Sequence, residues 1–289
     1  MLYDLLIAPF TDFAFMRRAL VGTIALAFGA GPIGVFLMLR RMSLVGDAMA
    51  HAILPGAALG FMVAGLNLFA MTVGGLVAGI VVAVLTGLVA RATELKEDAS
   101  LAAFYLISLA LGVTIVSLKG TKIDLLHVLF GTVLALDDAT LILIGAITSV
   151  TMVVLALIYR PLVLECVDPG FLRSVSSAGG PVHLVFLALV VLNLVAGFHA
   201  LGTLLSVGLM MLPAVIGRFW VRDISAMIVV AIGSAIVSGY FGLLISYHAG
   251  VPSGPAIILV AGGLCSLSVV FGRVSGVIWQ AFPGRHLEA

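Results

Sequence analysis

Long stretches of this chain contain no Asp, Glu, Lys or Arg, and they recur from end to end: Ala19 to Leu39, Ala48 to Ala90, Ala99 to Leu118, Ala139 to Tyr159, Ala178 to Gly217 and Ile224 to Gly272. A helix needs ~20 apolar residues to cross a bilayer core of ~30 Å. The shorter stretches therefore hold one span each and the three longest hold two, about nine helices in all. A broken or re-entrant member would bring the number to eight. Only 9% of the residues are charged and 63% are hydrophobic, whereas a soluble domain carries about 25% charged residues. The expected fold is all-α, a polytopic membrane helix bundle of about eight or nine transmembrane helices. Residues 1–289 read as a single transmembrane domain, with no linker, low-complexity segment or clear repeat.

Orientation follows from the basic residues, which gather on the cytoplasmic side of membrane proteins. Alternating spans place Arg40, Arg41, Arg91, Lys96, Arg160, Arg173, Arg218, Arg222, Arg273 and Arg285 on one side. Arg17, Arg18, Lys119 and Lys122 fall on the other. The richer side is read as cytoplasmic, which sends the N-terminus outward. Residues 1 to 12 lack a basic n-region, so no cleavable signal peptide is expected. Cys166 and Cys265 then fall on or near the cytoplasmic side, where thiols stay reduced. A net charge of +1 gives no sign of nucleic-acid binding.

Within this apolar sequence, Gly46-Asp47-Ala48-Met49-Ala50-His51 sets a carboxylate and an imidazole four residues apart. On a helix such positions share a face. If the second span begins near Ser43, Asp47 lies ~6 Å and His51 ~12 Å along it. An aspartate at the bilayer centre costs ~2.5–3.5 kcal/mol on insertion scales, so polar groups there default to ion handling. Pro55 has no N–H for the carbonyl of His51 and should kink the helix beside the pair, as in the broken helices that line ion pathways. Imidazole with carboxylate suits zinc, manganese or ferrous iron, whereas magnesium and calcium prefer oxygen alone. Zinc is the expected ion, because one imidazole and one carboxylate leave room for its four-coordinate shell to close. The pair also admits a structural role: an aspartate early in a helix is favoured by the dipole, and His51 can bond Asp47 and bind nothing else.

Two polar segments punctuate the chain. Arg160 to Pro181 should lie in the cytoplasm, where Asp168 before Pro169 reads as a helix start and Gly179-Gly180 as a stop. Thr121 to Asp138 reads as an amphipathic or re-entrant helix on the outer face, with Leu125, Val128, Leu129, Thr132 and Val133 at helical spacing and Asp124 and His127 three apart. Gly56/Gly60 and Gly75/Gly79 permit close helix approach. His183, His199 and His248 sit near span ends and read as interfacial. The chain has no G-x-x-x-x-G-K-[ST] loop, so it cannot bind ATP in the P-loop manner, and no HExxH pair. Intramembrane carboxylates beyond Asp47 are missing, which weighs against a secondary metal transporter.

The run Leu39 to Phe61, LRRMSLVGDAMAHAILPGAALGF, resembles the second-helix signature of the membrane permeases of manganese and zinc ABC importers, the ABC-3 family. Ile123 to Gly131, Val167 to Ser174 and Leu201 to Phe219 are similar to three further family segments in the same order. The resemblance implies a homodimer in the bacterial plasma (inner) membrane, cytoplasmic ABC ATPase subunits and a metal-delivering solute-binding protein outside. It implies that Asp47 and His51 coordinate the transported Zn2+ or Mn2+, with no permanently bound cofactor. It further implies a coupling segment to the ATPase at about 165–178, carried by Asp168, Pro169, Phe171, Leu172 and Arg173. Gly170 departs from the family, which usually carries an acidic residue there. A permease for a metal chelate remains a reading within the same class, one that would not need Asp47 and His51 as ligands.

Overall fold

In the computed structural model, residues 2–65, 67–94, 97–118, 136–168, 171 and 179–281 are described. Among them there is helix and no strand. Short helices α1 (Leu2–Leu6) and α2 (Ala8–Asp12) lead into α3 (Ala14–Leu39), α4 (Ser43–Ala52), α5 (Leu54–Ala64), α6 (Leu68–Ala92) and α7 (Glu97–Leu118). Further along the chain come α8 (Asp138–Val167), α9 (Gly179–Trp220), α10 (Ile224–Ala249), α11 (Ser253–Phe271) and the short α12 (Val277–Ala281). Seven helical segments are long and apolar enough to cross a membrane, with α4 and α5 together forming one of them; Ala99–Ile115 and Leu204–Trp220 are shorter apolar helices. These account for the expected spans, two of them shorter than the rest.

Polar residues in the connections open the helices. Asn67, Asp137 and Asp223 each accept a bond from the backbone N–H three residues on, at 3.2, 2.9 and 3.0 Å, which satisfies a donor that the first turn leaves free. Hydrogen bonds from Thr140 hold the Asp137 carboxyl below its ordinary value. Between α3 and α4, Arg41 takes a left-handed conformation (φ 58), which costs a non-glycine residue roughly 1–2 kcal/mol. The bonds Arg41 N–H to Met38 O (3.1 Å) and Met42 N–H to Leu37 O (2.9 Å) close a Schellman turn around it. That turn sends the chain directly into the helix bearing Asp47.

Helix α9 is two helices. Gly202 has φ 80 and ψ 168, a conformation open to glycine, and the Gly197 backbone lies against Ser206. The arms Gly179–Phe198 and Leu204–Trp220 therefore run back against each other. Gly179 and Gly180 are helical where the description of this helix resumes; the residues before them, on which the expected stop would act, lie outside the described residues.

Inside lipid, helices associate through close packing and polar contacts rather than through exclusion of water. The expected approach at Gly56 and Gly60 is present: Gly56 packs on the Gly74 backbone and Gly60 on that of Ala70, joining α5 to α6. Gly75 and Gly79 instead receive side chains, Ile53 and Val191. Deeper in the bundle, Asn193 Nδ2 donates to Thr151 Oγ1 (2.7 Å) and to the Leu189 carbonyl (2.9 Å), while Thr148 Oγ1 donates to the Ala25 carbonyl (3.0 Å). These bonds tie α8 to α9 and to α3. Gly56→Leu would push a branched chain into the backbone of α6 and should destabilise the protein by about 3 kcal/mol or more. Thermal unfolding in detergent measures it; an unchanged midpoint would mean that α5 and α6 separate freely.

Candidate functional site

The second span is interrupted at Ile53, between α4 and α5, where the backbone dihedrals stay helical (φ −72, ψ −28) and the chain runs on as one membrane-length helix. Pro55 follows the break, and the backbone bonds Ile53 N–H to Met49 O (3.2 Å) and Ala57 N–H to Ile53 O (3.1 Å) persist on either side. The bond that Pro55 cannot make to His51 is therefore bridged by its neighbours. Asp47 and His51 lie on one face of α4, with Asp47 Oδ1 3.9 Å from His51 Nε2. That is too long for a good hydrogen bond and leaves an opening between two atoms of the kinds that can ligate a transition metal.

The two side chains differ in surroundings. Asp47 is 65% exposed and His51 28%. The imidazole is stacked on Tyr105 of α7, with centroids 6.2 Å apart and planes at 30°. Its Nδ1 is buried and makes no hydrogen bond among the described residues. Leu44, Leu59 and Met62 are exposed on the same span, so the side of α4 and α5 that carries Asp47 faces out of the chain. Among the described residues, no three or more His, Cys, Asp or Glu gather as a metal site.

A second polar group was not legible beforehand. Arg40 Nη2 donates to Glu165 Oε1 (2.9 Å) and to His183 Nδ1 (2.6 Å), and its guanidinium lies 5.4 Å from the Phe186 ring centre. The side chains of Arg40, Glu165 and His183 are only 10, 13 and 13% exposed. Arg40 had entered only as a basic residue on the cytoplasmic side, and His183 as interfacial. Together with Glu165 they join the end of α3, the end of α8 and the start of α9.

Of the expected coupling residues, Asp168 and Phe171 are described. The Phe171 N–H donates to Asp168 Oδ1 at 2.8 Å, the capping bond expected of an aspartate at a helix start, and the Phe171 side chain is 53% exposed. Pro169, Leu172 and Arg173 lie outside the described residues, as does 119–135, which contains most of the expected outer helix with Asp124 and His127. His248, in the last turn of α10, bonds the Leu5 carbonyl through Nε2 (3.0 Å).

A bundle of membrane-length helices, with a carboxylate and an imidazole facing one another beside a helix break, defines a class of polytopic membrane transport proteins. The chain belongs to the ABC 3 transport family, whose model matches residues 12–272. It is 30% identical over 278 residues to the manganese transport system membrane protein MntC of Halalkalibacterium halodurans, covering 96% of this chain and 94% of that protein. It is 29% identical over 277 residues to the chelated iron transport system membrane protein YfeD of Yersinia pestis, covering 96% and 92%. The solved structure of PsaBC from Streptococcus pneumoniae in complex with Fab contains a chain that superimposes with a TM-score of 0.83 at 26% identity, over 94% of this chain and 96% of that one. The protein is a multi-pass protein of the bacterial inner membrane.

Proposed function

We propose that this chain is the membrane permease subunit of an ATP-driven ABC importer that moves a divalent transition metal, manganese foremost, into the cytoplasm. The observation that carries the proposal is the Asp47–His51 pair, held on one face of a membrane helix with its ligating atoms 3.9 Å apart. Manganese is preferred because the relatives above are named for manganese and iron. Zinc, which the imidazole and carboxylate donors favour on coordination chemistry, is the second reading. ATP is hydrolysed by separate cytoplasmic subunits, and a solute-binding protein delivers the ion from outside.

The same geometry supports a homodimer. A carboxylate as exposed as Asp47 is costly against lipid, and two ligands leave a metal shell incomplete. A second copy placed against α4 and α5 would cover Asp47 and supply a second carboxylate and imidazole. Expression of the permease with its ATPase and binding protein in a host lacking metal importers tests the reading. Mn2+ should restore growth and accumulate in the cells, with Zn2+ and Fe2+ supplied separately as the alternatives. Accumulation of none of the three would overturn it.

The capped turn at Asp168 supports docking of the ATPase at about 165–178. Phe171 is its exposed aromatic, and such anchors often carry more than about 2 kcal/mol of binding. Phe171→Asp should reduce both ATPase co-purification and uptake by at least about tenfold without dispersing the dimer. ATPase retained at normal stoichiometry would move the docking surface elsewhere, with Arg218 to Asp223 the next segment to probe.

A further inference from the structure

Three residues of α7 fall on one stripe, Tyr105, Ser108 and Gly112, and each meets a different part of the break in the second span. The Tyr105 ring lies on the His51 imidazole. Ser108 is 5% exposed, and its Oγ donates to the Ala52 carbonyl at 3.0 Å. Gly112 faces Leu54 and Pro55 so closely that an added Cβ would lie 3.1 Å from the Pro55 nitrogen and 3.2 Å from Leu54 Cβ. Residues three and four apart share a helix face, so a single surface of α7 holds His51, Ala52, Leu54 and Pro55 in order.

A histidine that ligates metal through one ring nitrogen usually donates the other N–H to an acceptor, which fixes the ring's direction. His51 has no such acceptor among the described residues: Nε2 faces Asp47, and the buried Nδ1 makes no hydrogen bond. Rotation of the ring is limited instead by the stacked phenol. The backbone under the ring is limited by Ser108, whose hydroxyl holds the carbonyl of the next residue at the place where the helix ladder is interrupted.

Resting on the metal-site reading above, we propose that Tyr105 and Ser108 are positioning residues of that site: without touching the ion, they fix the direction of the His51 imidazole and so set the affinity for the metal. Tyr105 acts by its ring face and Ser108 by its hydroxyl. The two contributions are chemically separable.

The test uses the purified permease–ATPase complex in detergent and equilibrium binding of Mn2+ alone, followed by competition with Zn2+. Loss of an outer-shell partner typically weakens metal binding 10–100-fold, so Tyr105→Leu and Ser108→Ala should each raise the Kd for Mn2+ about tenfold. Tyr105→Phe keeps the ring and Ser108→Thr keeps the hydroxyl, and both should bind as the unaltered protein does. The thermal midpoint of the metal-free complex serves as the control for folding. Unchanged Kd in Tyr105→Leu and Ser108→Ala, while His51→Ala loses binding, would overturn the positioning role and leave the metal site standing. Unchanged Kd in His51→Ala would remove the site and this inference with it. Tyr105→Phe as weak as Tyr105→Leu would also overturn it, because the phenol oxygen and not the ring would then be at work.

Discussion

Asp47→Ala and His51→Ala are each expected to reduce metal uptake to background while membrane expression, dimerisation and ATPase association stay intact. Asp47 projects outward from α4 and takes no part in the packing that joins the helices, whereas His51 is largely covered by its stack on Tyr105 of α7. Asp47 is 65% exposed, so its removal opens no cavity, and the alanine is a better helix former than the aspartate it replaces. Truncation of His51 removes one face of the Tyr105 stack, worth about 0.5–1.5 kcal/mol for an aromatic pair. That is small beside the loss of half of the ligands one protomer offers. Radiotracer Mn2+ uptake in cells, alongside the amount of permease in the membrane, makes the measurement. Near-normal uptake by both variants would end the site assignment, and loss of folded protein would favour a structural role for the pair.

The second large effect is expected at Arg40 and Glu165. Glu165→Leu leaves the Arg40 guanidinium buried against Phe186 without its carboxylate, and Arg40→Met leaves the carboxylate instead. Breaking a buried pair from one side typically costs 3–5 kcal/mol, because the remaining charge stays desolvated, whereas replacing both partners by apolar groups is often nearly neutral. Each single variant should therefore unfold about 3–5 kcal/mol more easily, and Arg40→Met combined with Glu165→Leu should recover most of that loss. Equilibrium unfolding in detergent gives the comparison. Single variants within about 1 kcal/mol of the unaltered protein would mean that water reaches the charges and that the group is no more than a surface pair.

Much of the architecture was legible because the bilayer imposes a length and a composition on every span, and the uncharged stretches mark them directly. The pairing of Asp47 and His51 on one face was legible for a related reason: against so apolar a background, a carboxylate and an imidazole at i and i+4 have few rivals. Local chemistry also marks where one rung of the backbone ladder is missing, since Pro55 has no N–H to donate wherever it stands in a helix. What stayed hidden depends on distance along the chain. Arg40, Glu165 and His183 are separated by 125 and 143 residues from Arg40, and each sits where basic or polar residues mark the cytoplasmic boundary anyway. Tyr105 and Ser108 carry no pattern of their own, and their part in the site follows only from the packing of α7 across the break.

The outward-facing Asp47 has a consequence for how the protein is made. The span that carries it is the least apolar of the seven long enough to cross, and in the proposed dimeric permease a newly inserted protomer would show that carboxylate to lipid until a second copy covers it. A lone protomer would then be the species most exposed to membrane quality control, and pairing would be part of maturation, not a later association of finished subunits. Synthesis and turnover carry the signature: when chains are made too sparsely to meet, Asp47→Asn or Asp47→Ala protomers should outlive the unaltered ones, although they transport nothing.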